Sequence, residues 1–294
     1  MKKIILLLEM FILSVCAMAL SIDGDMVVDN MGNKVEMKEY KKMIVIDPAA
    51  VEIIYLLGRE ENIEAIADTS TTKIWPAEKT SKLPSIGNIT KPSIEKVVYH
   101  QPDLVILNPM VAGFSKVLTE RNIPYLVNSA SNFDEILNSV RVYGVLTGNK
   151  GKGETVAREY EGKLADLKGD IQKNPLNLKG AFLFSTSPMM AFNSKSLPGE
   201  VFRLLGIENI ADNLPGGRPI ISSEFIVATN PDVLLGAMNI SRKEDILNSN
   251  PIVKETKAGK TGNIAIVESD RILRPTPRII EAVEDLYREL SRES

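Results

Sequence analysis

Residues 93–107, SIEKVVYHQPDLVIL, and residues 222–236, SSEFIVATNPDVLLG, are written to one pattern. Each places Ser two positions before Glu, then an apolar pair, then Pro-Asp, then a short apolar run. Ser93 and Ser222 stand where helix N-caps belong, and Glu95 and Glu224 fall in a first turn, where a carboxylate suits the helix dipole. Proline cannot continue a helix, so each helix stops and a buried strand begins. One such unit in each half of the chain requires two similar α/β halves.

The flanking sequence extends that plan. In the first half, KKMIVID, IEAIAD, LVIL and IPYLVN read as strands. Ala49–Leu57, Ile94–His100 and Phe133–Leu146 read as helices, with Gly58 and Gly148 closing the first and last. In the second half, GAFLFST, DVLLGA and NIAIV read as strands, and PGEVFRLLG, SEFIVATN and PRIIEAVEDLYREL as helices. Short apolar runs alternating with helical segments imply crossover units and mostly parallel sheets. Val27-Val28 and Lys34-Val35 flank a Gly-containing turn and predict an opening hairpin. Between the halves, Val156, Tyr160, Leu164, Leu167 and Ile171 form one apolar stripe. That predicts a helix from about residue 153 to 173, about 30 Å long, entered through a GNKGKG linker.

Lys2 and Lys3 precede an apolar run from Ile4 to Leu20, broken by Glu9 and Ser14, and Ala17-Met18-Ala19 fits a cleavage site for export. The run is short for a membrane span and holds a carboxylate. Cys16, the only cysteine, lies inside it. Leu13-Ser14-Val15-Cys16 resembles a lipobox, so Cys16 is either discarded with a signal peptide or carries a lipid, leaving a membrane-anchored lipoprotein. In both cases the folded part has no disulfide. A formal charge of −3 gives no footprint for nucleic acid. The expected divisions are a signal peptide at 1–19, an N-terminal lobe at 20–148, a connector helix at 149–174 and a C-terminal lobe at 175–294.

Six blocks in order, VVDNMGNKVEM, MIVIDPAAVEIIYLLG, LPSIGNITKPSIEKVVYHQPDLVIL, FNSKSLPGEVFRLLGIENIADN, SSEFIVATNPDVLLG and RILRPTPRIIEAVEDLYREL, resemble the iron-siderophore and vitamin B12 family of periplasmic binding proteins. These are the extracytoplasmic receptors of ATP-binding-cassette importers. The resemblance implies two Rossmann-like lobes joined by one long helix, a monomer, and a ligand in the cleft between lobes. It also implies that Glu95 and Glu224, one on each rim, dock against arginines of a membrane permease dimer.

Within the resemblance, Trp75 falls where the vitamin B12 receptor has a cleft aromatic, and is either a stacking surface for ligand or a loop anchor. Other aromatic positions of that receptor are Ile89, Asn108 and Arg218 here. The expected ligand-binding set is Trp75, Asn108, Lys195, Arg218 and Arg274. Its cations suit an anionic iron chelate, siderophore-like, because a guanidinium donates paired hydrogen bonds to oxyanions. Haem, cobalamin and molybdate or tungstate stay open. Met110, Met189, Met190 and Met238 follow strand ends and read either as pocket padding or, for most, as core. No resident metal or cofactor is expected: the one histidine, His100, reads as a helix-end cation.

An enzyme is not expected, since the folded part has no cysteine and His100 has no nucleophile beside it. AGKTG at 258–262 resembles a phosphate loop but lacks its first glycine, having Lys254 there. The rival of another class is a structural envelope protein without a ligand cleft.

Overall fold

A computed structural model describes residues 19–70 and 72–293 of the chain; Cys16 and the expected signal up to residue 18 lie outside the described residues. Three antiparallel strands open it: β1 (Leu20–Asp23), β2 (Met26–Asp29) and β3 (Lys34–Glu36). The expected hairpin is β2–β3, and β1 is a further strand on its edge. The buried Asp29 carboxylate accepts from Met31 N, Asn33 N and Val127 N, which fixes the turn and ties this sheet to the next one.

The N-terminal sheet is β4 (Met43–Val45), β5 (Ile63–Asp68), β6 (Ser85–Asn88), β7 (Lys91–Pro92), β8 (Leu104–Leu107) and β9 (Tyr125–Val127), in the order β7-β6-β5-β4-β8-β9. All its pairings are parallel except β6–β7. The C-terminal sheet is β10 (Lys179–Thr186), β11 (Met189–Phe192), β12 (Glu208–Asn209), β13 (Val233–Gly236) and β14 (Ile264–Ile266). Its order is β11-β10-β13-β14, with β12 also beside β10, and only β11 runs antiparallel. The parallel trio β4-β8-β9 in one lobe matches β10-β13-β14 in the other.

The connector spans Lys150–Lys173, with Asn149 as its N-cap. The expected linker is therefore largely helix. Its glycine has a packing purpose: a Cβ on Gly153 would lie 3.0 Å from the Gly144 Cα, and one on Gly144 2.9 Å from the Gly153 Cα. Only two glycines let the connector press its backbone against the Phe133–Leu146 helix. Arg141 adds bonds to Glu154 (2.9 Å) and Glu161 (2.7 Å). On the other side, Tyr160 and Lys163 both reach Glu281 of the Arg278–Glu293 helix (3.1 and 2.8 Å), and Tyr287 returns a bond to the Asp170 carbonyl.

Each sheet has a private apolar layer on one face and faces a shared layer on the other. Ile44, Ile46, Val97, Val105 and Leu118 belong to the private layer of the N-terminal lobe; Leu183, Ile226, Leu234 and Ile264 belong to that of the C-terminal lobe. The shared layer runs from Val45 and Ile53 through connector residues Tyr160 and Leu164 to Phe202 and Val283. The lobes are thus joined more widely than by a lone helix. AGKTG contributes to a short helix, Lys257–Thr261, capped by Thr256, not to a strand-to-helix loop.

Candidate functional site

The carboxyl ends of parallel strands from both lobes converge on one pocket of about 380 Å³. Loops that leave a sheet at these ends are the usual binding edge of an open α/β fold. Asp47 follows β4, Ile89 follows β6 and Asn108 follows β8; Met238 follows β13 and Ser269 follows β14. Leu273 and Arg274 complete the wall from the C-terminal side.

A buried ion cluster lies at this junction. Glu52 is fully buried on the Pro48–Leu56 helix of the N-terminal lobe. Its carboxylate accepts from Arg274 and, at 2.9 Å, from Arg278, both of the C-terminal lobe, and from Trp75 N at 3.1 Å. Arg274 also donates to the Lys73 carbonyl (2.7 Å) and Thr72 Oγ1 (3.0 Å). Two guanidiniums on one carboxylate satisfy donors and acceptors together, the condition under which a buried charge is tolerated. The sequence offered one sign of this: Glu52 is the lone charge in PAAVEIIYLL, and a lone carboxylate on an apolar helix needs a partner.

Asp47 caps that same helix, accepting from Ala49 N and Ala50 N (3.3 and 3.2 Å) and from Asn128 Nδ2 at 2.5 Å. Burial pushes its pKa up to about 6, against the opposing pull of those hydrogen bonds and of Arg274. Its neutral form is therefore within reach of mildly acid conditions.

Of the expected ligand residues, Asn108 and Arg274 line the pocket. Asn108 is buried and its oxygen caps the following turn through Met110 N at 2.9 Å. Trp75, Lys195 and Arg218 are not among the pocket's lining residues. Trp75 is tied by its backbone to Glu52, and the Arg278 guanidinium sits 5.1 Å from its ring centroid, the arrangement of a loop anchor that is still partly exposed. Arg218 packs over Phe184, 5.7 Å from the ring centroid. Lys195 is exposed on a loop reached only after β11 has run back along β10, pairing Phe192 with Phe182, away from the strand's carboxyl end. The cationic lining expected for an anionic chelate is thus not assembled at the pocket; its one guanidinium is already bonded within the protein.

Two of the four methionines depart from the core reading. Met189 is buried and Met190 half-buried, but Met110 and Met238 are 68% and 53% exposed, and both line the pocket. His100 pairs with Glu64 at 3.1 Å. Among the described residues, no group of three or more His, Cys, Asp or Glu is placed to hold a metal ion.

Glu95 and Glu224 are exposed at the starts of the Ile94–His100 and Ser223–Thr229 helices, as expected. Each carboxyl is held below its usual range by its own backbone N–H and by the capping serine, Ser93 or Ser222. Each has an exposed valine one turn on, Val98 or Val227.

The sequence matches the periplasmic binding protein family over residues 43–270. It is 25% identical over 245 residues to a vitamin B12-binding protein of Vibrio parahaemolyticus, covering 83% of this chain and 86% of that one. It is also 25% identical over 257 residues to YvrC of Bacillus subtilis, described as an uncharacterized ABC transporter substrate-binding lipoprotein, covering 85% and 79%. Its fold superposes on the periplasmic heme-binding protein RhuT of Roseiflexus sp. RS-1 with a TM-score of 0.74 at 21% identity, covering 87% of this chain and 99% of that one.

Proposed function

The chain belongs to the periplasmic binding protein family, and from that premise we propose that it is the exported receptor of an ABC importer, capturing a metal complex, an iron chelate or a metal macrocycle, between its lobes. It delivers that cargo to a membrane permease, docking through Glu95 and Glu224. The observation that carries this reading is the pocket built jointly by strand ends of both lobes, together with one exposed carboxylate in the first turn of the matching helix of each lobe. Exposed ion pairs add little affinity singly but steer and orient a partner. No catalytic step is assigned.

An anionic siderophore is the ligand that the sequence favours, on the cations Lys195, Arg218 and Arg274, of which only Arg274 lines the pocket. The pocket itself favours haem or cobalamin, because its wall is largely apolar and its one arginine is paired. A bare molybdate or tungstate ion has the least support, since it would leave the apolar wall uncovered. Export follows from the N-terminal pattern, and a lipid on Cys16 has the Bacillus lipoprotein as its precedent.

A thermal-shift screen of the mature chain against haemin, cyanocobalamin, a ferric trihydroxamate and molybdate tests the reading. A ligand at 100 times its Kd, bound only by the native state, adds about 2.7 kcal/mol of stability. No shift with any of these compounds sinks the receptor assignment.

A further inference from the structure

Each copy of the repeated segment begins with a rim carboxylate and delivers, just past its strand, a methionine into the pocket: Met110 after β8 and Met238 after β13. We propose that Met110 and Met238 are the specificity-determining pair of the cleft, a two-sided apolar clamp of thioethers that selects a flat metal macrocycle over a hydrophilic iron chelate. The inference rests on the receptor reading above and names its ligand class.

Both side chains are largely exposed while lining a pocket, where apolar surface open to water gains most from being covered. They come from opposite lobes, so a ligand seated between the lobes touches both. Met238 is held where it is at a conformational cost. Its φ is +59°, in the left-handed region that a residue with a long side chain rarely adopts, and its N–H donates to Ser269 Oγ at 2.7 Å. A backbone strained in this way at a ligand wall is kept because the side chain's position matters.

The charged lining groups do not compete for a charged chelate. Asp47 and Arg274 are consumed by the helix cap and by Glu52. Asn108 caps its own turn. Ile89 and Leu273 extend the apolar surface. Thioethers are polarizable and unbranched, and they pack well against conjugated rings. Among the described residues lining the pocket, no His, Cys or Tyr is present; a thioether can itself ligate haem iron, and the Leu pair below separates that role from packing over the ring.

The test compares haemin, cyanocobalamin and a ferric trihydroxamate by titration of the mature chain, its Met110→Gln/Met238→Gln pair and its Met110→Leu/Met238→Leu pair. Both positions are exposed, so all three proteins are expected to melt at similar temperatures without ligand, which checks folding. The wild type is expected to bind one of the macrocycles at least tenfold tighter than the trihydroxamate. The Gln pair keeps length but loses apolar character, and its macrocycle affinity falls by about tenfold or more. The Leu pair keeps volume and apolarity and stays closest to the wild type. A Gln pair that binds the macrocycle unchanged, or a wild type that prefers the trihydroxamate, overturns the clamp while leaving the receptor role standing. A Leu pair as weak as the Gln pair overturns the packing account. A wild type that responds to none of the probes, in titration or in the thermal-shift screen, fails at the receptor reading itself.

Discussion

The segment 93–107 and its counterpart 222–236 fold alike to the level of single hydrogen bonds, yet the lobes around them differ. In both, serine caps the helix, accepting from Lys96 N or Phe225 N. In both, the helix ends on a left-handed residue, Gln101 at φ 48° and Asn230 at φ 44°. In both, the Asp after Pro grips the backbone that opens the lobe's first parallel strand. Asp103 accepts from Lys41 N and Lys42 N (2.7 and 3.0 Å), and Asp232 accepts from Lys179 N (2.8 Å). The Pro-Asp pair is therefore a staple between two parallel strands as well as a helix stop. The lobes part company at the far ends of those strands. Beside Ile106, β4 stops within a residue of Val45 and turns through Asp47 into a helix. Beside Leu235, β10 continues past Phe182 and Phe184 into an antiparallel hairpin. What is shared fixes the sheet and the rim; what differs shapes the pocket and its charge.

The largest expected effect tests whether the shared rims work as a pair. Glu95→Ala with Glu224→Ala is expected to reduce ligand uptake in cells to background while titrations of the purified protein stay unchanged; each single change leaves intermediate uptake. Normal transport by the double variant removes the docking role.

Glu52→Gln probes the contact between unlike halves. It leaves Arg274 and Arg278 facing each other without their carboxylate, and breaking a buried ion cluster costs about 3–5 kcal/mol. A large drop in melting temperature is expected, with altered Trp75 fluorescence, since the Trp75 backbone is bonded to Glu52 and its ring lies under Arg278. A melting curve like the wild type's shows that the lobes do not depend on this cluster.

The staples give a matched pair of measurements. Asp103→Asn and Asp232→Asn each weaken a strand start by about 1–2 kcal/mol. Asp232 is expected to cost more because Lys257 Nζ also bonds it at 2.6 Å. Burial pushes the Asp232 carboxyl up, but Lys257 and the Lys179 N–H outweigh that and hold it below its usual range. Its contribution is thus present above the unfolded-state pKa and lost as pH falls through the lower folded-state value. Equal losses in urea melts at neutral pH remove the asymmetry.

The smallest effect concerns Asp47, which has Phe184 at the corresponding strand position in the other lobe. Its folded pKa of about 6 lies above the ordinary value of 3.8, so the native state binds the extra proton. Stability from this group is full below its unfolded-state value and is lost as pH rises through about 6. Asp47→Asn keeps a cap oxygen and flattens that slope; a slope unchanged in the variant assigns it to other groups.

Most of the architecture was legible because it is written in local chemistry. Caps, prolines and apolar runs located the Ile94–His100 and Ser223–Thr229 helices and their strands within a residue or so, and one apolar stripe located the connector. The GNKGKG segment was misread because glycine signals a loop locally, and only the facing Gly144 reveals a helix-packing contact. The candidate site was half legible. Asn108 and Arg274 were placed at the cleft, but whether a cation is free or paired depends on a partner more than 200 positions away, Glu52 in the case of Arg274. The same holds for Met110 and Met238, whose spacing from a strand end cannot distinguish core from pocket.

By itself, the sequence determined two α/β halves, a long helix between them and one carboxylate in the first turn of a matching helix in each half, since each of these follows from residues within a few turns of one another. Only the tertiary structure decided which charges neutralise one another, which methionines meet water and where the lobes join. Those outcomes depend on burial and on through-space partners, and desolvation acts on the assembled surface rather than on the order of residues along the chain.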